Sequence, residues 1–273
     1  SDDGDMVVVD DVDAALEWVR HVKRYAHDVA FVTPGDLKHI SADMLHDLLI
    51  APWGWDRTIK EQLLRAAPSL EPVLPSDERL ASIRDMSSRR FAAERLLPLL
   101  HDANPGVVGE SRYCATEDEA LRAMQQYGRS VVKSPWSSSG RGVRYVAQPA
   151  PDNHLLGWMR GVLRQQGGIM IEPLYNKVYD FGMEFVANAD GTIGYLGLSL
   201  FDTRNGAYCG NILATEADKR DMLAQYADME LVDKVRDSII GLTATLLGDW
   251  YEGAFGIDMM AVPGDDGKIQ LIH

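Results

Sequence analysis

Residues 131–146 read Val-Val-Lys-Ser-Pro-Trp-Ser-Ser-Ser-Gly-Arg-Gly-Val-Arg-Tyr-Val. A short valine run carries Lys133, a loop of serines and glycines follows, and a second β-branched run begins at Val143. This order predicts two strands that are joined by a loop of small residues. Serine and glycine side chains are too small to keep a ligand away from the backbone. Successive N–H groups of the loop can therefore converge on the oxygens of a phosphate group.

Charged side chains accompany this loop. Lys133 places a point charge at the end of the first strand, and Arg141 adds a planar guanidinium. The segment therefore predicts a nucleotide phosphate held by a loop between two strands. It differs from the strand–loop–helix phosphate loop, because neither Gly-x-x-x-x-Gly-Lys-Ser/Thr nor Gly-x-Gly-x-x-Gly occurs in the chain. The alternative interpretation is an ordinary hairpin with a polar tip.

The composition restricts the kind of partner. The chain has 273 residues, an ordinary hydrophobic content of 46% and a formal net charge of −14. This charge argues against nucleic acid and against an anionic membrane surface as partners. A nucleotide, itself a polyanion, then needs a locally basic site, and Lys133, Arg141 and Arg144 form such a patch in the sequence.

Two further features concern the compartment. Cys114 and Cys209 lack the spacing of a metal or redox motif, so we expect reduced thiols in a cytoplasmic protein. No apolar run approaches the roughly 20 residues that cross a bilayer, and no signal-peptide pattern follows the acidic N-terminus. We therefore expect no membrane partner.

The pattern of elements changes along the chain. Residues 1–75 alternate two short strands with amphipathic helices and predict a partial small α/β domain that ends in a linker over 68–75. From residue 76 a helical stretch reaches about residue 100, and helices then alternate with antiparallel hairpins. The pattern predicts an α+β domain over 76–273. We divide it into 76–168, which contains the loop, and 169–273, whose last hairpin carries Asp258.

Five positions lie in a fixed order along this second domain: Arg89, Lys133 with its loop, Glu172, Asp180 and Asp258. With these residues in this order, the chain resembles the ATP-grasp superfamily over roughly residues 80–273. The amino-acid sequence of the loop is similar to that of a bacterial branch of the superfamily. The loop is the specific part of the match. The resemblance implies two antiparallel-sheet-plus-helix subdomains that clasp a nucleotide. It also implies ATP and Mg²⁺ as the cofactors.

The resemblance assigns the phosphate end of the site. Lys133 would hold the α- and β-phosphates. Arg89 would take a position where the family usually has lysine, with Arg90 as the alternative if the alignment is shifted by one. The mobile flap over the β- and γ-phosphates would consist of Ser137, Ser138, Ser139, Gly140, Arg141 and Gly142.

The resemblance also assigns the nucleoside and the metal. Glu172 would open the hinge, with backbone groups of Pro173 and Leu174 at the adenine edge. Asp180 would accept from the ribose hydroxyls, and Asp258 would be a magnesium ligand. Each residue type also has an ordinary structural explanation: a strand end for Glu172, an edge charge for Asp180, a solvated strand position for Asp258 and a helix-surface cation for Arg89.

One part of the family pattern is missing. ATP-grasp enzymes usually complete the metal site with Glu-x-Asn on the strand that returns after the aspartate, and residues 268–273 read Lys-Ile-Gln-Leu-Ile-His. The α/β region before residue 76 is also short for the family. We therefore expect the chain to be truncated at both ends.

The implied activity is that of an ATP-dependent ligase. ATP would phosphorylate the carboxylate of a small molecule or peptide, and an amine or thiol would attack the acyl phosphate. Arg204 could pair with the substrate carboxylate as a catalytic residue beside Lys133, and Tyr208 and Asn211 could orient it. A polar connection between a strand and a helix is the alternative for this segment. A nucleotide-binding module without ligase activity and a small-molecule kinase remain the alternative functions.

Overall fold

The computed structural model describes residues 4–22, 28–40, 45, 48–137, 140–147, 151–204, 207–264 and 269–272. The chain divides into two compact units, residues 1–83 and 84–273. Among the described residues, no helix is both long and apolar enough to cross a membrane. The domain assignment that we made from the sequence, with its boundary at 75/76, stays a prediction.

The first unit contains a small parallel sheet. Strands β1 (Met6–Val8) and β2 (Ala30–Val32) pair in parallel, and helix α1 (Val12–Val22) connects them. Helix α2 (Arg57–Ala66) begins at Asp56, whose side chain accepts a hydrogen bond from the Ile59 N–H. The linker predicted over 68–75 is wrong for residues 68–73. They form a 3₁₀-helix (Pro68–Val73) because Leu70 is buried in the core of this unit and holds the proline-rich segment in place.

The helical stretch predicted from residue 76 consists of several pieces. Helix α3 (Asp77–Met86) ends before Ser88, whose hydroxyl accepts from the Phe91 N–H and begins α4 (Arg89–Phe91). A π-helical turn (Ala92–Leu96) and α5 (Leu97–Ala103) follow. Arg89 is therefore the first residue of α4, directly after the Ser88 cap.

The first sheet of the second unit carries the loop. Strands β3 (Arg112–Cys114), β4 (Ser130–Lys133), β5 (Val143–Val146) and β6 (Ile169–Pro173) are antiparallel in the order β3-β6-β4-β5. Helices α6 (Glu117–Tyr127) and α7 (Asn153–Gln166) pack on one face, where Val132 and Ile171 are buried. Because side chains alternate along a strand, Lys133 and Glu172 lie on the opposite face.

The second sheet contains five strands. Strands β7 (Tyr179–Ala187), β8 (Ile193–Arg204), β9 (Ala207–Asn211), β10 (Gly253–Pro263) and β11 (Ile269–Ile272) are antiparallel in the order β11-β10-β7-β8-β9. Residues of α5, α8 (Glu216–Leu223) and α9 (Met229–Leu247) join one face in a core around Phe181, Met183 and Ile257. The other face carries Asp180, Glu184 and Asp258.

Two sheets, each with helices on one face, confirm the predicted α+β class. The predicted hairpins of β4 with β5, β7 with β8 and β10 with β11 are present. The polar segment that begins at Phe201 differs from the strand-to-helix connection that we considered. Strand β8 continues to Arg204, and its end pairs antiparallel with β9.

Candidate functional site

The loop between β4 and β5 is closed tightly at its base. Lys133 pairs with Val143 across the two strands, and the Ser134 N–H and hydroxyl both donate to the Gly142 carbonyl, at 2.9 and 3.2 Å. Gly142 is buried, and a Cβ there would lie 2.1 Å from Ser134 Oγ and 2.3 Å from Ser137 Oγ. Only glycine fits this position. Of the predicted flap, Ser138 and Ser139 lie outside the described residues.

The first half of the loop is anchored to the surrounding helices. The Gln166 side chain accepts from the Trp136 N–H at 2.9 Å and donates to the Trp136 carbonyl at 3.1 Å. The indole N–H of Trp136 donates to the Arg84 carbonyl at 2.9 Å, and the Arg84 guanidinium lies over the ring, 4.5 Å from its centroid. Residues 134–137 are thereby held against both α3 and α7.

Arg89 contacts the loop, whereas Arg90 does not. The Arg89 guanidinium donates to the Ser134 carbonyl at 2.7 Å, to the Ser137 hydroxyl at 2.8 Å and to the Ser137 carbonyl at 3.2 Å. Arg90 is exposed, pairs with Glu94 at 2.9 Å and lies over the Tyr113 ring. Burial lowers the pKa of Arg89, an effect that Glu172 and then Asp258 oppose. Arg89 is therefore the arginine that lies at the candidate site.

Lys133 and Glu172 form an ion pair on the face of the sheet that the helices leave uncovered. Lys133 Nζ lies 2.5 Å from Glu172 Oε2, and Ser111 Oγ donates to Glu172 Oε1 at 3.0 Å. The two predicted residues come from adjacent strands, since Val131 is the direct partner of Glu172. The structure thus joins the predicted phosphate lysine to the predicted hinge glutamate.

Asp258 belongs to an acidic face of the second sheet. Its cross-strand partner is Gly182, which has Asp180 and Glu184 two positions to either side. Burial and then Asp180 raise the pKa of Asp258, while Arg89 and Lys133 lower it. Asp258 is nevertheless exposed to water. The charges of Asp180, Arg89 and Lys133 thus all influence Asp258, although these residues come from both sheets and from α4.

Glu184 is a residue that the sequence interpretation missed. Burial and then Asp258 raise the pKa of its carboxyl, whereas its hydrogen bond with Ser199 and the charge of Lys219 lower it. The sequence contained a signal, because Asp180, Gly182 and Glu184 alternate along one predicted strand and must share a face. Gly182 and Gly256 leave room for the carboxylates, as a Cβ at Gly256 would lie 2.7 Å from Glu184 Oε2.

Comparisons with known proteins give a fold but no close sequence relative. No protein-family model matches the chain, and no curated protein matches its sequence. Among solved structures, D-cycloserine synthetase DcsG is 14% identical, with a TM-score of 0.53 over 99% of this chain and 90% of the synthetase. The RimK domain ATP-grasp protein from Sphaerobacter thermophilus is 17% identical, with a TM-score of 0.44 over 98% and 89%.

The chain has an ATP-grasp fold. This confirms the resemblance on which the sequence interpretation depends, and at 14% identity it concerns the fold alone. N5-carboxyaminoimidazole synthetase from Staphylococcus aureus, solved with ADP, is similar at 12% identity and a TM-score of 0.49. That alignment covers 99% of this chain and 70% of the synthetase.

The predicted hinge at Glu172, Pro173 and Leu174 has few backbone donors. Pro173 has no N–H group, and the Leu174 N–H donates to the Arg129 carbonyl at 2.9 Å because pairing between the strands continues past β6. The Tyr175 hydroxyl accepts from the Glu110 N–H at 2.8 Å. Neither Pro173 nor Leu174 therefore has a backbone N–H free for a ligand, and the predicted role of their backbone groups at an adenine edge would depend on the carbonyl oxygens.

Three further predicted residues are Asp180, Arg204 and Tyr208. Asp180 pairs with Lys177. Arg204 ends β8, and its side chain lies outside the described residues. Tyr208 is exposed on β9 with its ring centroid 6.3 Å from that of Phe201. The role of Arg204 stays a prediction.

The acidic face matches the chemistry of a divalent cation in part. Mg²⁺ binds through one or two carboxylates together with substrate phosphates and water. Asp258 and Glu184 are two such carboxylates, and burial, followed by a neighbouring carboxylate, raises the pKa of each. Within the described ranges, however, no three His, Cys, Asp or Glu side chains form a group that could hold a metal alone. A divalent cation bound at this face would therefore need further ligands, such as phosphate oxygens.

Proposed function

We propose that the chain is an ATP-dependent ligase that activates a carboxylate as an acyl phosphate for attack by an amine or a thiol. The observation that supports this proposal is the electrostatic coupling of Arg89, Lys133, Glu172 and Asp258 across two sheets. These side chains are far apart in the sequence, yet Lys133 pairs with Glu172, and the charges of Arg89 and Asp258 affect each other's pKa. Charged side chains that bind no common ligand have no need to come together from distant positions of a sequence, and their grouping therefore supports a binding site.

The loop and the lysine supply the phosphate contacts in this proposal. Main-chain N–H groups of residues 137–142 donate to the β- and γ-phosphates, and Lys133 exchanges its contact with Glu172 for the α- and β-phosphates. Asp258, with Glu184 nearby, would hold a magnesium ion, which would offset the negative charge of the phosphates. Arg141, which is exposed at the tip of the loop, adds a further cation.

The reaction then requires positioning more than covalent catalysis. A carboxylate oxygen of the substrate attacks the γ-phosphorus, and the bond to the β,γ-bridging oxygen breaks to release ADP. The amine or thiol attacks the carbonyl carbon of the acyl phosphate, and inorganic phosphate leaves. Arg204 would hold the substrate carboxylate, and the loop would exclude water that otherwise hydrolyses the acyl phosphate.

A nucleotide-binding module without ligase activity is the second candidate. It is favoured by the acidic face, where the described residues provide no group of three metal-binding side chains. A binding module needs only the loop and Lys133, whereas phosphoryl transfer also needs a firmly held cation. A small-molecule kinase would use the same phosphate contacts.

Turnover of ATP distinguishes these functions. The protein is incubated with ATP, Mg²⁺ and panels of carboxylates, with and without amines or thiols, and ADP is measured. ADP that forms only with carboxylate and nucleophile together supports the ligase. ADP with one hydroxylated substrate indicates a kinase, and binding without turnover indicates a module.

A matched pair of lysine variants tests the site itself. Lys133→Met removes the ammonium from the candidate site, whereas Lys234→Met removes an exposed lysine that pairs with Glu230 on α9. We expect only Lys133→Met to abolish ATP-dependent stabilisation of the protein. Equal stabilisation of both variants by ATP would contradict the assignment of Lys133.

A further inference from the structure

We propose that Arg89 is a positioning residue, which fixes residues 134–137 and thereby sets the direction in which the loop continues from Ser137 toward the proposed phosphate site. In this role Arg89 acts through its contacts with Ser134, Pro135 and Ser137. The inference rests on the proposed function, because it deepens the account of how that site binds ATP.

The contacts of the guanidinium carry the inference. Nη1 donates to both the Ser134 carbonyl and the Ser137 hydroxyl, at 2.7 and 2.8 Å, so both of its hydrogens have an acceptor on the loop. Nη2 donates to the Ser137 carbonyl at 3.2 Å. The rigid planar fork of arginine thus spans two loop residues at once, which a single ammonium group does not do.

The backbone of Arg89 is fixed to the same loop. Its N–H donates to the Pro135 carbonyl at 3.0 Å, immediately after the Ser88 hydroxyl has begun the helix by accepting from the Phe91 N–H. Main chain and side chain together therefore contact Ser134, Pro135 and Ser137. A side chain placed only to meet a phosphate would not need this backbone contact.

The other side of the same segment is also fixed. Gln166 holds the Trp136 backbone, and Ser134 is bonded to Gly142. Among the described residues, Arg89 holds Ser137 through its hydroxyl and its carbonyl, at the point where the fixed half of the loop leads toward the proposed phosphate site. Loss of Arg89 should therefore release Ser137 and leave Ser134 and Trp136 partly held.

The first experiment measures the loop without nucleotide. Hydrogen exchange is followed at the amides of Ser134, Trp136 and Val143, whose N–H groups have acceptors in the free protein. The proteins compared are wild type, Arg89→Ala, Arg89→Lys and the control Arg95→Ala, which changes an exposed arginine farther along the same helical segment. We expect exchange to become at least about 10-fold faster in both Arg89 variants and to be unchanged in the control. Unchanged exchange in Arg89→Ala overturns the inference.

The second experiment compares nucleotides by calorimetry. We expect both Arg89 variants to bind ATP about 30-fold more weakly and adenosine within about twofold of wild type, since about two charged hydrogen bonds that shape the loop are lost. A general loss of folding would weaken both ligands alike. Wild-type ATP affinity in Arg89→Lys would show that charge alone suffices at this position, and it would overturn the positioning role.

Ser137→Ala provides a milder variant that keeps the test valid if Arg89→Ala does not fold. It removes one acceptor of the guanidinium, so we expect about fivefold weaker ATP binding in the wild-type background and no further loss in Arg89→Lys. Strictly additive losses would contradict the coupling. If wild type binds no ATP, the proposed function fails, whereas unchanged hydrogen exchange in Arg89→Ala is the separate failure of this inference.

Discussion

Replacement of Gly142 by alanine is the sharpest perturbation of the loop. The added Cβ would lie 2.1 Å from Ser134 Oγ, 2.3 Å from Ser137 Oγ and 2.4 Å from Ser137 Cβ. Ordinary contacts between such atoms begin near 3.5 Å, so the loop must open by roughly 1 Å at its base. The backbone of Gly142 is not in a left-handed conformation, and the effect is therefore one of space alone.

The size of the effect follows from the bonds at this base. An opening of about 1 Å takes the two hydrogen bonds from Ser134 to the Gly142 carbonyl, at 2.9 and 3.2 Å, beyond useful length. Overpacking of a buried position costs about 1–3 kcal/mol of folding free energy. If two charge-assisted bonds to the phosphates are also lost, ATP binding weakens by about 3 kcal/mol, or roughly 100-fold.

Calorimetry with ATP and adenosine, together with thermal unfolding, measures both quantities. Gly106→Ala is the matched control, because its Cβ would lie 2.6 Å from a methyl group of Leu231 on α9. We expect Gly106→Ala to leave the anchors of the loop in place. We expect both variants to lose stability and only Gly142→Ala to lose ATP affinity selectively. ATP affinity that is unchanged in a folded Gly142→Ala protein would refute the argument that the loop holds the phosphates.

Two further predictions concern charge. Lys133→Met should weaken ATP binding at least about 10-fold, and it should lower the melting temperature because Glu172 stays half-buried without its ion pair. Adding Glu172→Gln should restore the melting temperature but not ATP binding. A restored ATP affinity would argue against a phosphate role of Lys133. Burial and Asp180 raise the pKa of Asp258, so the folded protein binds a proton at this carboxylate more tightly than the unfolded chain does. At a pH above the folded pKa, the charged carboxylate therefore lowers the stability of the protein. Asp258→Asn should therefore raise the melting temperature at pH 7, with a gain that disappears as the pH falls below the ordinary aspartate value, and a loss of stability at pH 7 would contradict this sign.

The sequence was sufficient for those features that depend on local pattern. The valine runs on either side of small residues predicted the β4–β5 hairpin, whereas the common face of Lys133 and Glu172 became visible only with the register between β4 and β6. The same rule would have found Glu184 had it been applied along the whole of β7. The loop and the order of charged residues around it predicted the ATP-grasp fold, which the similarity to solved structures bears out at an identity of only 14%.

Other features depend on contacts between distant residues, and a single sequence does not contain them. Arg89 meets acceptors 45 and 48 positions away, two of which are backbone carbonyls with no side-chain signature. The choice between Arg89 and Arg90 depends on the exact start of a helix, which the Ser88 cap determines. The Leu174 N–H is used by Arg129 because strand pairing continues past the proline, and this continuation was not visible in the sequence.

A crystal structure of the protein with Mg²⁺ and a non-hydrolysable ATP analogue tests the central claim most directly. The account predicts triphosphate oxygens within about 3 Å of main-chain N–H groups between Ser137 and Gly142 and of Lys133 Nζ. It also predicts the cation between the phosphates and Asp258. A nucleotide bound elsewhere, with the Lys133–Glu172 pair intact and the loop free of phosphate, would contradict it.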